Sequence, residues 1–347
     1  MVSAFACVAW LALAAPGLAA DGQTSVASAG ASNPDAPWIR YRLGHGETID
    51  DLAERYGLTT DEIVAANEGR REFHKGDLVR LQPRRFSPPL ASRTIRSSKR
   101  RTWDEIAARY DVEVADLRRW NKRFARRKSL PEGATLKVWF PSGVTKFAHG
   151  AALQPLPDFE AKPGAFSVGK PNRGRIEHAV QLPESPLYTI RFNRLAWGSS
   201  LTVRNVQRAL AGFRRDSGFE GEIFIGAMSQ KSGRRLRPHR SHQSGRDIDV
   251  RLPAMPHVTG YKLDRTEVDW HATWMMVDAF VRTDEVQVIF LERKLRARLR
   301  SAGLRMGATD ERIEAVMGKI RHSKGHTSHV HVRFNCSADA PKCHQVD

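Results

Sequence analysis

The sequence predicts an α+β protein: a domain built on an antiparallel sheet over residues 174–347, preceded by a smaller repeated unit at 38–83 and 92–141. Three observations carry this reading. Thr48, Leu52, Ala53, Tyr56 and Asn67 recur at a constant offset as Thr102, Ile106, Ala107, Tyr110 and Asn121, which marks an internal repeat. Beyond Gly174, amphipathic helical segments alternate with short strand-like apolar runs, the pattern of helices packed on a sheet. Two of those runs carry clustered histidine and aspartate, at Ser241–Asp249 and His326–His331.

Taken in order, residues 1–20 are alanine-rich, uncharged and end in Ala14-Ala15-Pro16-Gly17-Leu18-Ala19-Ala20. They read as a signal peptide that lacks the usual basic leading segment and is cleaved after Ala19 or Ala20. The segment is too short, and too broken by Pro16 and Gly17, to act as an anchor, so no integral membrane span is expected in the mature chain. Residues 21–37, rich in Ala, Ser, Gly, Asp and Pro without apolar periodicity, read as a flexible tether.

Each repeat shows a helical three–four spacing, a second short helix, then a glycine and a strand-like run: Gly76-Asp77-Leu78-Val79-Arg80-Leu81 and Gly133-Ala134-Thr135-Leu136-Lys137-Val138. The second copy holds about three more residues, in its basic loop. Tyr41-Arg42-Leu43-Gly44-His45-Gly46-Glu47-Thr48, with Asn67, resembles the opening strand, turn and asparagine of a LysM module. In the second copy Ser98-Lys99-Arg100-Arg101 replaces the Gly-rich turn, which makes residues 92–141 a degenerate LysM-like unit. The resemblance implies a βααβ fold for each copy and binding of N-acetylglucosamine glycans such as peptidoglycan or chitin, with the second copy's glycan binding left open. The competing reading is that the repeats only stack on each other or on the following domain.

The Pro- and Gly-punctuated stretch 142–173 reads as a linker, so a chain starting near Gly174 is expected to work alone. Beyond it, Leu182-Pro183, Tyr188 and Trp197-Gly198 precede an amphipathic helix from about Ser200 to Arg214, with Leu201, Val203, Val206, Leu210 and Phe213 on its apolar side. Ile223 to Gly226 reads as a buried strand, and an Arg/Gly loop, 230–241, leads into a strand at Ile248-Asp249-Val250. A helix near 270–283, a strand at 286–291, a basic helix near 292–302 and a last strand at 329–334 complete the domain. Trp270 and Trp274, four apart on a helix, read as core rather than as a substrate platform.

The two motifs supply His239, His242, His326, His329 and His331 out of 13 histidines, with the carboxylates of Asp247 and Asp249. Imidazole and carboxylate suit zinc, and catalytic zinc takes three protein ligands plus water. Alternation along a strand puts His329 and His331 on one face, so one ring can bind metal while the other acts as acid or base. Histidines beside arginines can be surface decoration, and a single His-x-His arises by chance. The spacing of His242 and Asp249 across a Gly-Arg turn argues against that. Arg234, Arg235, Arg237 and Arg240 crowd the first motif, as a solvated basic face or as a substrate clamp.

Ser241 to Asp249 matches Ser-His-Gln-x-Gly-x-Asp-x-Asp, and His326 to Arg333 matches His-x-x-His-x-His-Val-Arg. Over nearly all of 174–343 the chain resembles the penicillin-insensitive murein endopeptidases, metallopeptidases grouped with D-Ala-D-Ala carboxypeptidases and lysostaphin-like enzymes. The resemblance implies that His242, Asp249 and His331 hold one zinc ion, leaving a fourth position for a water whose pKa falls toward about 7. His329 is then the candidate general base. His326 and His239 match family histidines that stabilise an oxyanion, hydrogen-bond a ligand or bind further metal. His326 is therefore a second catalytic candidate and His239 an additional metal-ligand candidate. Asp247 is expected to support a ligand rather than bind metal. The Glu-x-x-His/Trp-His arrangement of related dipeptidases is missing, as is any His-Glu-x-x-His. Where some relatives carry Asp-x-x-His, this chain reads Asp264-Arg265-Thr266-Glu267, which weakens the case for a second metal.

The formal charge of +18 favours polyanionic partners. In an exported chain these are envelope polyanions, and a nucleic-acid role rests on charge alone. Once Cys7 leaves with the signal, Cys336 and Cys343 are expected to pair as a disulfide, free thiols being the alternative. The combined expectation is a periplasmic or secreted zinc endopeptidase that cuts D-alanyl/diaminopimelyl cross-links of peptidoglycan, held on the wall by LysM modules. The alternatives are a D,D- or L,D-carboxypeptidase with the same metal site, and a non-catalytic peptidoglycan-binding protein.

Overall fold

The computed structural model describes residues 38–44, 46–84, 90–110, 112–146 and 154–345; the signal peptide and tether expected over 1–37 lie outside the described residues. In the first repeat, strand β1 (Ile39–Arg42), helices α1 (Ile49–Tyr56) and α2 (Thr60–Ala66) and strand β2 (Leu78–Leu81) follow in order, with β1 and β2 antiparallel. Thr48 and Asp51 cap α1 reciprocally, and Thr59 and Glu62 do the same for α2. Leu52, Tyr56 and Ile63 then bury their apolar faces against Tyr41, Val79 and Leu81.

The second repeat follows the same plan: β3 (Leu90–Arg96), a short β4 (Arg101–Thr102), α3 (Trp103–Tyr110), α4 (Val114–Trp120), a short β5 (Ser129–Leu130) and β6 (Thr135–Pro141). β3 pairs with β6 and β4 with β5, all antiparallel. Both copies are thus βααβ units, the second with an added two-stranded zip. The repeated asparagine explains itself. Asn67 Nδ2 donates to the carbonyls of Ile63 and Arg80, both at 2.7 Å, and its Oδ1 accepts from Arg80 N at 2.8 Å. Asn121 makes the same three bonds to Leu117 O, Lys137 O and Lys137 N. Each asparagine ties the second helix to the closing strand. Asn121 and Lys137 are 16 positions apart where Asn67 and Arg80 are 13, and β5 lies in that longer loop.

The larger domain begins earlier than the expected boundary at 174. Strands β7 (Phe166–Lys170) and β8 (Arg173–Glu177) form a hairpin that straddles that boundary. Residues 142–146 also pack on the domain rather than link to it: Ser142 Oγ and Gly143 N donate to the Asp269 carboxylate, and Thr145 N and Lys146 N to Ser217 O. After β9 (Val180–Gln181), β10 (Thr189–Ile190) and β11 (Trp197–Gly198) comes α5 (Ser200–Ser217), capped by Ser199. Then follow β12 (Phe224–Ile225), β13 (Asp247–Arg251), α6 (Trp270–Val281), β14 (Val286–Leu291), α7 (Arg293–Arg305), α8 (Asp310–Lys319), β15 (Ile320–His322) and β16 (His329–Phe334). Helix α8 is absent from the sequence reading, although Thr309 caps it and Asp310 and Glu311 open it.

Six strands form one sheet in the order β10-β12-β13-β16-β14-β15, antiparallel through its centre and parallel at its two outer pairs. Ile248, Val250, Ile289, Val330, Val332 and Phe334 face the core built with α5 and α6. The alternate residues of β13 and β16 stand on the opposite face, as the period of two requires. Trp274 lies in that core, while Trp270 packs at its margin, half-buried. Cys336 and Cys343 form a disulfide. The buried Arg246 guanidinium donates to Phe334 O and His344 O, fixing the C-terminal segment beside β16. Among the described residues, no helix is long and apolar enough to cross a membrane.

The three units are docked. Met255 completes the core of the second repeat, and the His257 ring packs 5.8 Å from Tyr110 and 5.4 Å from Phe140. Arg305, at the end of α7, reaches into the first repeat, where it donates to Tyr41 Oη at 2.7 Å and to both Glu47 carboxylate oxygens. The repeats therefore stack on the larger domain.

Candidate metal centre

The site lies on the face of β13 and β16 opposite the core. Their register sets Asp249 opposite His331, Asp247 opposite Arg333 and Arg251 opposite His329, while β14 sets Phe290 on the other side of His331. His242 arrives from the turn before β13. Ser229 Oγ donates to His242 O at 2.6 Å and accepts from Gly245 N at 3.2 Å, and His242 N donates to Asp247 Oδ2 at 3.0 Å. These bonds hold His242 at φ 66°, a left-handed conformation that a non-glycine residue adopts only when its surroundings enforce it. The motif glycine is needed for packing as well as for its φ of 72°: a Cβ on Gly245 would lie 2.6 Å from Ile176. His242 Nδ1 lies 2.7 Å from Met228 O, so it carries the proton and leaves the Nε2 lone pair facing Asp249.

Four imidazoles converge on the Asp249 carboxylate. Its Oδ1 is 3.3 Å from His242 Nε2, 3.6 Å from His331 Nδ1 and 4.0 Å from His329 Nε2, and its Oδ2 is 3.6 Å from His239 Nδ1. The other nitrogen of His331, Nε2, meets Asp247 Oδ1 at 2.8 Å, and that oxygen also accepts from Arg333 Nε at 2.7 Å. Asp247 therefore stands behind His331, fully buried, where a carboxylate orients a ligating imidazole.

A divalent ion fits these residues. His242 Nε2 and Asp249 Oδ1 are both buried and have no hydrogen-bond partner, a condition that costs about 1–3 kcal/mol per atom. One cation between them would satisfy both, and the nitrogen–oxygen donor set is the one zinc takes. Ligand atoms of His239, His242 and Asp249 lie within 4.8 Å of one another, with His331 Nδ1 joining from the opposite strand. His239 thus stands as close to the carboxylate as His331 does, although it comes from an exposed loop and lacks an orienting carboxylate behind it. Asp264 accepts from Thr266 N and, through its carbonyl, from Glu267 N, closing a turn. Among the described residues no second group able to hold a metal is found.

The electrostatics follow from burial and crowding. Burial by itself would raise the Asp249 carboxyl, but His242, His331 and His329 outweigh it and hold the group well below the carboxylate range. Asp247 is held low in the same way, against its burial, by His331 and Arg333. His242 is raised: burial acts against its charge, and Asp249 and Asp247 prevail. His329 is pushed down to about 4, chiefly by burial, with His326 and His331 adding to it against the pull of Asp249. It is therefore neutral at neutral pH, with a lone pair free to take a proton. His326 lies 4.8 Å from His329 and 5.9 Å from His331, ring to ring, and burial lowers its basicity and that of His239.

Several supports carry no sequence signal. Met228 acts through its carbonyl, and Ser229 through a turn that only the folded chain closes. Glu292 holds the His326 loop, its Oε2 accepting from Gly325 N at 3.2 Å and its own N–H donating to His326 O at 3.0 Å. In sequence it shows only as a residue between a strand and a helix. Arg234, Arg235, Arg237 and Arg240 are all exposed, a solvated basic rim beside His239.

The family model described as penicillin-insensitive murein endopeptidase matches residues 167–347, a start that agrees with the β7–β8 hairpin. The LysM domain model matches residues 41–71 and 102–139. No curated protein matches the chain.

Proposed function

The chain belongs to the penicillin-insensitive murein endopeptidase family, and from that premise we propose that it is an exported, zinc-dependent peptidase that hydrolyses D-alanyl/diaminopimelyl cross-links of peptidoglycan while its LysM repeats hold the glycan. The observation that carries the zinc reading is the buried pair of unpartnered atoms, His242 Nε2 and Asp249 Oδ1, inside a ring of imidazoles. His242, Asp249 and His331 would hold the ion, with His239 at the mouth as a further ligand. Bound there, zinc supplies Lewis acidity that acidifies water and polarises the scissile carbonyl.

His329, neutral and 4.0 Å from Asp249, takes the proton of the attacking water and returns it to the leaving amine. His326, whose ring lies 4.8 Å from that of His329, would stabilise the developing oxyanion. The disulfide fits an oxidising compartment, and a murein substrate puts the protein in the cell envelope, periplasmic or secreted.

Digestion of purified sacculi by the mature protein, with muropeptides read by mass spectrometry, tests this. Monomers appearing from cross-linked dimers are the expected result. Trimmed stems without loss of dimers would make the enzyme a D,D- or L,D-carboxypeptidase. No change with zinc present, in protein that carries about one zinc per chain, would leave a non-catalytic wall-binding protein.

A further inference from the structure

The row of side chains that carries the metal centre continues past it to the edge of the sheet. Register sets Asp249 beside His331, His331 beside Phe290 of β14, and Phe290 beside Arg321 of the edge strand β15. Ile289 and Ile320, one position earlier on the same two strands, are buried in the core, so Phe290 and Arg321 stand on the metal face. Strands about 4.8 Å apart put the Arg321 backbone about 10 Å from that of His331, with Phe290 between them. The Phe290 ring is half-buried, 5.2 Å from the His331 ring and 6.4 Å from the His326 ring, and the Arg333 guanidinium lies over it at 5.2 Å. Arg321 is exposed; its guanidinium donates to Gly318 O at 3.0 Å and makes no ion pair among the described residues. Outward from the metal, the site thus offers an apolar ring and then an unneutralised cation.

That order fits an aliphatic side chain ending in a carboxylate. Methylenes pack on an aromatic ring, and a guanidinium takes a carboxylate through two parallel hydrogen bonds. In a D-alanyl/diaminopimelyl cross-link, the diaminopimelyl residue on the N-terminal side of the scissile-bond alanine has this form. One of its amino-acid centres lies in the stem backbone, and the other carries a carboxyl group beyond a run of methylenes. We propose that Arg321 is a specificity-determining residue that binds this distal carboxylate while Phe290 carries the methylenes. The enzyme then selects donor stems whose diamino acid keeps that carboxylate free, and a stem with lysine or an amidated residue there gives Arg321 no anion. The proposal deepens the peptidase reading of the metal centre and rests on it. Arg321 lies away from the reacting carbonyl and grips ground state and transition state alike, so its contribution falls on KM.

The test uses the full mature chain loaded with zinc and two synthetic cross-linked stem peptides that differ at one group. The distal carboxyl of the donor diaminopimelyl residue is free in one and a carboxamide in the other, and steady-state kinetics give kcat/KM for both. The wild type should favour the free acid about tenfold, as one charge-assisted contact does. Arg321→Gln should bring the acid-to-amide ratio to about one, with the loss on the acid seen as a raised KM. Arg321→Glu should turn the preference toward the amide. Each ratio is taken within a single preparation, so a partly unfolded variant leaves it unaltered. Equal cleavage of the two peptides by the wild type, or a wild-type ratio retained in Arg321→Gln, overturns the proposal and leaves the peptidase reading standing. A wild type that cleaves neither peptide overturns the peptidase reading and this proposal with it.

Discussion

His329 and His331 are two positions apart on one strand face, and one hydrogen bond sets their surroundings apart. His331 is pinned from behind by Asp247, whereas His329 has no such partner and faces Asp249 at 4.0 Å. His331→Ala and His242→Ala should each lose both metal and activity. His329→Ala should keep its zinc and its fold while turnover falls about 10²–10⁴-fold, mainly in kcat, because a base acts on water in the transition state. Metal analysis beside single-turnover kinetics decides this: a zinc-free His329→Ala protein would make His329 a ligand, and near-normal turnover would pass the base to His326 or His239. Asp247→Asn should keep the shape of the site yet weaken zinc binding about 10–100-fold, as loss of an orienting carboxylate does. A chelator competition series measures it.

Helix α6 couples the core to the docked repeats. Asp269 caps it, accepting from His271 N and Ala272 N as well as from Ser142 and Gly143. Burial, reinforced by the charges of Arg305 and Arg55, holds His271 well below the ordinary histidine range. The folded protein thus keeps His271 neutral where the unfolded chain protonates it at about 6.5. Since the unfolded state then binds more protons, this stability is fully present above about pH 6.5 and is lost as pH falls below it. Thermal melts between pH 7.5 and 5 should show a smaller drop in Tm for His271→Leu than for the wild type; equal drops would assign the acid limb to other groups.

Across the whole molecule, Arg305 is the bond between peptidase domain and repeats. It lies over both the Tyr41 and Trp139 rings, at 5.3 Å from each, and shares Glu47 with Arg55. Removing one partner of a buried ion pair costs about 3–5 kcal/mol, with Arg55 remaining to soften it here. Arg305→Met should release the first repeat, seen as faster hydrogen exchange in α1 and a larger radius of gyration in small-angle scattering; unchanged values would place the docking energy in that repeat's other contacts, Arg40 with Asp310 and Asp51 with Arg119. A chain cut at Gly174 splits the β7–β8 hairpin and bares Met255, Trp270 and Arg305. It should melt well below the full chain, and an equal Tm would restore the linker reading.

Much of this protein is legible in its sequence because its signals are local. Periods of two and of three to four residues identify the strands and helices, and the repeat is spelled by residues that cap helices or fill a small core. The alternation in β13 and β16 separates core residues from site residues before any fold is known. The Asn67 and Asn121 clamps show in the sequence as a repeat, but their bonds do not, since each closes on a strand 13 or 16 positions away. What only the tertiary structure decided was carried by groups without a side-chain signature or by partners far apart in the chain. The Met228 carbonyl sets the His242 tautomer, Glu292 holds the His326 loop, and His239 comes up to Asp249 from an exposed loop. The docking of the repeats depends on Arg305 reaching a carboxylate 258 positions away, and a contact at that range leaves no periodicity to read.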